Sequence, residues 1–135
     1  MDYTIIDIPK ITDPRGNLAV VEKASIPFAI KRVYYLYDVP SESHRGGHAH
    51  KECYTMLIAI SGSFIVQLND GKTTTEVFLN KPAKGLIVPT MVWRELTDFS
   101  SGAVCLALAS HDFSEEDYIR DFDKFKSLAA AHVKS

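Results

Sequence analysis

Apolar residues recur along this chain in short runs, often every second position, and each run is closed by residues that turn the backbone. Runs rich in β-branched and aromatic residues predict strands near 3–8, 17–22, 28–38, 54–60, 63–69, 74–79, 86–89, 92–98 and 103–109. Between them stand Asp13-Pro14-Arg15-Gly16, Ser61-Gly62, Asn69-Asp70-Gly71, Lys81-Pro82-Ala83-Lys84-Gly85 and Ser100-Ser101-Gly102, all of which favour a positive or a preset φ. Asp70-Gly71, between Phe64-Ile65-Val66-Gln67-Leu68 and Thr73-Thr74-Thr75-Glu76-Val77-Phe78, is the clearest hairpin signal. Many short strands with regular turn chemistry predict an all-β sandwich or barrel.

The tail changes period. Ser114 reads as an N-cap, Asp117 as the acid three residues on, and Phe113 and Tyr118 as a hydrophobic staple, so a helix is expected to begin there. Tyr118, Ile119, Phe122 and Phe125 follow at helical spacing, giving an apolar stripe for the barrel or for a second subunit, with Asp121, Asp123, Lys124 and Lys126 facing water. The final Ala-rich turn and Lys134-Ser135 are expected to fray. No repeat or linker interrupts the pattern, and 135 residues, 46% of them hydrophobic, suit a single domain, residues 1–135, that folds without disulfides.

Charge narrows the partners. A net charge of -2, with acids and bases interspersed, supplies no broad basic field for nucleic acid, though a small anion could be held locally. The start, Met1-Asp2-Tyr3-Thr4-Ile5-Ile6, lacks a basic region followed by an apolar run, and no segment approaches a membrane span, so a soluble, unprocessed protein is expected. Cys53 and Cys105 both sit in apolar surroundings; two buried reduced thiols are favoured over a disulfide, which points to the cytoplasm.

One stretch reads as chemistry: Arg45-Gly46-Gly47-His48-Ala49-His50-Lys51. Histidines spaced two apart on a strand share a face. Lining a cavity, they could bind a metal or move protons near neutral pH; on a polar turn they would simply face solvent. Arg32 alternates with Phe28, Ile30, Tyr34 and Leu36 and should share their inward face, where it needs an anion. That anion is either a ligand diphosphate, which Arg15 in the Asp-Pro-Arg-Gly turn could also bind, or an internal carboxylate, Glu22 or Glu95. Trp93 is either a flat platform for a sugar or base, or a core residue.

Predicted strands around a His-x-His that follows glycines resemble a cupin, a small double-sheet jelly roll, here with a short C-terminal α-helix. Metal-binding cupins continue to a glutamate and a further histidine; here those places hold Tyr54 or Thr55, and Arg94. Phenol and hydroxyl are weak ligands, a guanidinium repels cations, and two histidines fall short of the usual three ligands, so no metal is expected.

A closer resemblance runs from about residue 5 to 127. Ile30-Lys31-Arg32-Val33-Tyr34-Tyr35, Arg45-Gly46-x-His48-Ala49-His50-Lys51, Gly85-Leu86 with Val92-Trp93-x-Glu95, Asp98-Phe99-Ser100, Leu108-Ala109-Ser110 and Asp117-Tyr118-Ile119-Arg120 together resemble the sugar 3,4-ketoisomerase family. The resemblance implies a metal-free enzyme, needing no cofactor, that converts a thymidine-diphosphate-linked 4-keto-6-deoxyglucose to its 3-keto isomer on the way to aminated deoxysugars. It also implies a homodimer with an exchanged N-terminal strand.

Such an isomerisation removes the proton on C3, passes through an enediolate and returns a proton to C4. The expected roles are His50 as carbon base, His48 as shuttle between the oxygens, and Tyr34 and Arg45 as donors to the enediolate. Arg15, Arg32, Trp93 and Arg94 are the expected substrate-binding residues. An arginine at 94 cannot deliver a proton to C4, which favours return on the face of removal and retention of the gluco configuration, with nearby Arg15 able to alter the sugar's orientation. The alternatives are a nucleotide-sugar epimerase on a similar jelly roll and a non-catalytic sugar-nucleotide binding module.

Overall fold

The computed structural model describes residues 1–134. The strands are β1 (Thr4–Asp7), β2 (Lys10–Asp13), β3 (Gly16–Ala19), β4 (Arg32–Leu36), β5 (Arg45–His50), β6 (Thr55–Ser61), β7 (Phe64–Asn69), β8 (Thr74–Leu79), β9 (Lys84–Val88), β10 (Trp93–Thr97), β11 (Val104–Ala109) and β12 (Tyr118–Ile119), followed by helix α1 (Phe122–Lys134). They form two five-stranded sheets, ordered β1-β9-β6-β11-β4 and β12-β5-β10-β7-β8, and a separate β2–β3 hairpin. This is the jelly roll that the resemblance implies, with the sheets left open rather than closed into a barrel.

The alternation legible in the sequence is what packs the sheets together. Phe64, Val66 and Leu68 of β7 are buried and their neighbours only partly so. They meet Leu57 and Ala59 of β6, Leu86 and Val88 of β9, and Cys105 and Ala107 of β11 in one cluster between the layers. Fully burying each large aliphatic side chain contributes about 1.5–3 kcal/mol. The β7–β8 hairpin closes through a four-residue loop after the Asn69–Thr74 pair, with Gly71 at φ +96 and Asp70 Oδ1 accepting the N–H groups of Lys72 and Thr73. Both cysteines are free and buried. Among the described residues no helix is long and apolar enough to cross a membrane.

The tail departs from the expected helix. Glu115–Asp117 form a single 3-10 turn in which Ser114 makes no side-chain cap bond. Tyr118–Ile119 then run as strand, pairing Tyr118 with His50 and Ile119 with Ala49. Helix α1 begins only at Phe122, capped by Asp121, whose Oδ1 accepts the Lys124 N–H at 3.1 Å. Propensity loses to tertiary pairing here: β5 offers an open edge, and the carboxylate of Asp117 is taken up by partners near it. Ile119 and Phe125 still serve the core, packing with Trp93, Ala49 and Ala129 between α1 and the outer face of the second sheet.

Strand β5 lies outside the strands the sequence predicts, because its double glycine carries no strand propensity and its pairing with β10 and β12 makes it one. Strand β4 is shorter than the predicted 28–38 segment: Phe28 packs on a second cluster outside the first sheet, and Ile30 is exposed. The inward face therefore comprises Arg32, Tyr34 and Leu36 only. Helix α1 runs on through Ala129-Ala130-Ala131 to Lys134, where fraying is expected from the sequence, and Ser135 lies outside the described residues.

Candidate active site

A cavity of about 450 Å³ opens between the sheets, where β4 on one side faces β5, β10 and β12 on the other. Arg32 and Tyr34 project into it from β4, His48 from β5, and Arg94 from the position on β10 directly opposite His48. Arg45 lies at its exposed edge. Leu57, Leu96 and Ala107 give it an apolar floor.

His50 lies behind His48 rather than beside it. It is 0% exposed, and its Nε2 stands 3.2 Å from His48 Nε2. Its Nδ1 is 2.8 Å from Asp117 Oδ2, and the other carboxylate oxygen accepts the Glu52 N–H at 2.7 Å. Tyr118 covers both rings, with centroids 4.9 Å from His48 and 4.4 Å from His50. His50, the expected carbon base, is thus absent from the cavity lining, and of the His-x-His pair it is His48 that faces the cavity.

Both imidazoles are held neutral. Burial, then the charge of Arg94, then that of His50 push His48 down to about 2. Burial and Arg94 push His50 down to about 4 against the opposing pull of Asp117. The His50–Asp117 contact is thus a hydrogen bond to a neutral ring at neutral pH, not an ion pair. Burial raises the Tyr34 phenol, so it faces the cavity protonated, as a donor.

The described lining includes four arginines, Arg32, Arg45, Arg94 and Arg120, and no carboxylate. Arg94 is 2% exposed and donates only to Thr55 Oγ1 at 3.3 Å and the Val92 carbonyl at 3.2 Å, leaving Nε without a partner among the described residues. Arg32 donates to Tyr118 Oη at 3.2 Å and lies over the rings of Tyr34 and Phe113. Its Nε also lacks a partner, and neither Glu22 nor Glu95 pairs with it. Buried guanidinium groups without counter-charges are costly alone and suit an anionic ligand.

Two expected site residues are not brought here. Arg15 sits at the tip of the β2–β3 hairpin, its side chain 90% exposed and paired with Asp13. Trp93 points to the opposite face of its sheet from Arg94, which is the consequence of adjacent positions on a strand, and packs edge-on against Phe122. Of its two readings, the core one is what the fold realises. Conversely, Asp117, Tyr118 and Arg120 enter the site without having been assigned to it; Arg120 lies over Tyr118 at 4.2 Å and is held by Glu115. Their signal was the Asp117-Tyr118-Ile119-Arg120 motif itself, read as part of a helix.

His50, Cys53 and Asp117 also offer three ligand-type atoms within 4.8 Å of one another. A cation there would have to break the His50–Asp117 hydrogen bond and sit close to the field of Arg94.

Residues 1–130 match the family model described as "WxcM-like, C-terminal", FdtA. The chain is 47% identical over 131 residues to the TDP-4-oxo-6-deoxy-alpha-D-glucose-3,4-oxoisomerase of Aneurinibacillus thermoaerophilus, covering 96% of this chain and 94% of the relative. In structure it is similar to a 3,4-ketoisomerase from Helicobacter canadensis, with TM-score 0.93, 44% identity and coverage of 96% and 98% of the two chains. It is also similar to QdtA, a sugar 3,4-ketoisomerase from Thermoanaerobacterium thermosaccharolyticum in complex with TDP, with TM-score 0.94, 39% identity and 96% of both chains covered. With the model spanning nearly its whole length and so near a relative, the chain belongs to the WxcM-like, C-terminal (FdtA) family.

Proposed function

We propose that residues 1–135 act as one jelly-roll unit, a metal-independent isomerase that moves the ketone of TDP-4-keto-6-deoxyglucose from C4 to C3. The carrying observation is a neutral His48, backed by His50, inside a cavity whose charged lining is entirely cationic. The family and the named activity of the 47% identical relative support the same substrate.

His48 takes the proton from C3 while that C–H electron pair enters the C3–C4 bond and the carbonyl pair moves onto O4. The Tyr34 phenol and the guanidinium of Arg94 stabilise the enediolate, each such donor being worth about 10²–10³ in rate. The hydroxyl proton on O3 passes to O4, the charge left on O3 collapses to the C3 ketone, and the C3–C4 π pair takes the proton back from His48 at C4. With a permanent cation at 94, the proton returns from His48 on the face of removal; because H3 and H4 lie on opposite faces of a gluco ring, that return gives the galacto configuration at C4 rather than the gluco one. In this reading Arg32, Arg45 and Arg120, which line the cavity, hold the diphosphate. The 3-keto product suits an aminotransfer step next. An epimerase would leave the ketone in place, so proton NMR of the product separates the two. The 3-keto sugar is expected, and His48→Asn should abolish its formation while TDP affinity changes less than about threefold. An unmoved ketone, or full turnover by that variant, contradicts the reading.

A homodimer with an exchanged N-terminal strand is part of the proposal, as is a cytoplasmic location, which the two free thiols support. Apolar Ile11 and Leu18 on the β2–β3 hairpin and Val33, Tyr35 and Tyr37 along β4 are more than half exposed in one chain. In the dimer, Arg15 at the hairpin tip acts on the cavity of the neighbouring copy.

A further inference from the structure

The orientation of the histidine pair converges on Asp117, a residue at the end of the 3-10 turn and just ahead of β12. Its backbone carbonyl accepts the Lys51 N–H at 3.0 Å and its own N–H donates to the Ser114 carbonyl at 3.1 Å, so the residue is fixed from both sides. Burial works against its charge, but the Glu52 N–H and the His50 hydrogen bond outweigh that and keep the carboxyl below its ordinary range. An ionised carboxylate only accepts hydrogen bonds.

The consequences run in one direction through three short contacts. Since Asp117 Oδ2 can only accept, the proton of neutral His50 resides on Nδ1, and His50 Nε2 carries a lone pair. The 3.2 Å contact between the two Nε2 atoms then requires the proton of His48 to lie on Nε2. His48 Nδ1 is left bare. Each ring is locked in place by the Tyr118 ring packed on it, so rotation does not undo the assignment.

We propose that Asp117 is a positioning residue for the isomerisation: through His50 it sets the tautomer of both histidines and leaves Nδ1 of His48 as the unprotonated nitrogen that meets the substrate. When His48 takes the C3 proton on Nδ1, its Nε2–H donates to His50 Nε2, and the dipole of the His50–Asp117 pair stabilises the imidazolium that forms. No proton need pass to Asp117. This rests on the ketoisomerase reading for the reaction, but the tautomers are a property of the protein alone.

The test combines nitrogen-15 NMR of the imidazoles in substrate-free protein with turnover of TDP-4-keto-6-deoxyglucose, in the wild type and in Asp117→Asn. In the variant the single amide oxygen faces the Glu52 N–H, the amide N–H faces His50 Nδ1, and the chain of donors reverses. In the wild type the protons are expected on His50 Nδ1 and His48 Nε2. The variant should show both reversed, with kcat lower by about 10²–10⁴ and KM changed less than about threefold. Wild-type histidines in other tautomers overturn the proposal. So does a folded variant with unchanged tautomers, or one whose kcat stays within about threefold of wild type. A wild-type protein that shows the stated tautomers yet leaves the sugar unchanged refutes the activity and supports the positioning by Asp117.

Discussion

The two histidines differ in kind, although two residues separate them in sequence. His48 faces the cavity, and His50, fully buried, reaches the substrate only through it. That they share a face was legible from their spacing; which one stands in front was not, because it depends on how β12 closes over β5. Arg32 and Tyr34 were likewise legible from alternation on one strand, whereas Trp93 was not, since nothing local says which face of β10 α1 will cover. The pH behaviour follows from burial and from Arg94. With both imidazoles depressed below the free value of about 6.5, the unfolded chain binds more protons than the native one as pH falls from there toward about 4. Stability must therefore decline over that interval and recover as pH rises again. Urea unfolding at pH 7 and pH 5 should show the lower stability at pH 5, and the acid limb of kcat/KM should lie nearer 4 than 6.5. An acid limb at 6.5 contradicts the neutral, buried pair.

At the scale of elements, strands with a clean two-residue period were readable from the alternation along the chain, with β7, β8 and the Asp70-Gly71 turn as the clearest case. Elements that exist only through pairing were not: β5 is glycine-rich, and β12 is two residues long and helix-like in pattern. The site is built largely on those two. The β2–β3 hairpin makes a different kind of demand, because its strands pair only with each other and leave Ile11 and Leu18 60% and 59% exposed. A second copy covering them is the proposed remedy. Sedimentation of the wild type should give a dimer, and Ile11→Asp combined with Leu18→Asp should shift the population to monomer. A monomeric wild type at assay concentration contradicts the exchange.

At the scale of the molecule, the jelly roll supplies two things the chemistry requires: an apolar floor that excludes water, and two opposed sheets that bring cations from different parts of the chain around one histidine. Arg32, Arg45, Arg94 and Arg120 come from β4, β5, β10 and the segment after β12, so only the folded chain assembles the anion site. The all-β class was legible because the succession of short strands and turn chemistry constrain it, the jelly roll came from the resemblance, and the composition of the cavity needed the sheet order. The central claim is that one histidine moves a proton between adjacent carbons of the sugar within this cavity. Turnover of TDP-4-keto-6-deoxyglucose in D₂O, followed by NMR, tests it most directly. A 3-keto product is expected with deuterium at C4, or unlabelled there if the proton is returned faster than it exchanges, in the galacto configuration that same-face return dictates, and with none at C5. Deuterium at C5, or a C4 centre of gluco configuration, would contradict the single-histidine transfer.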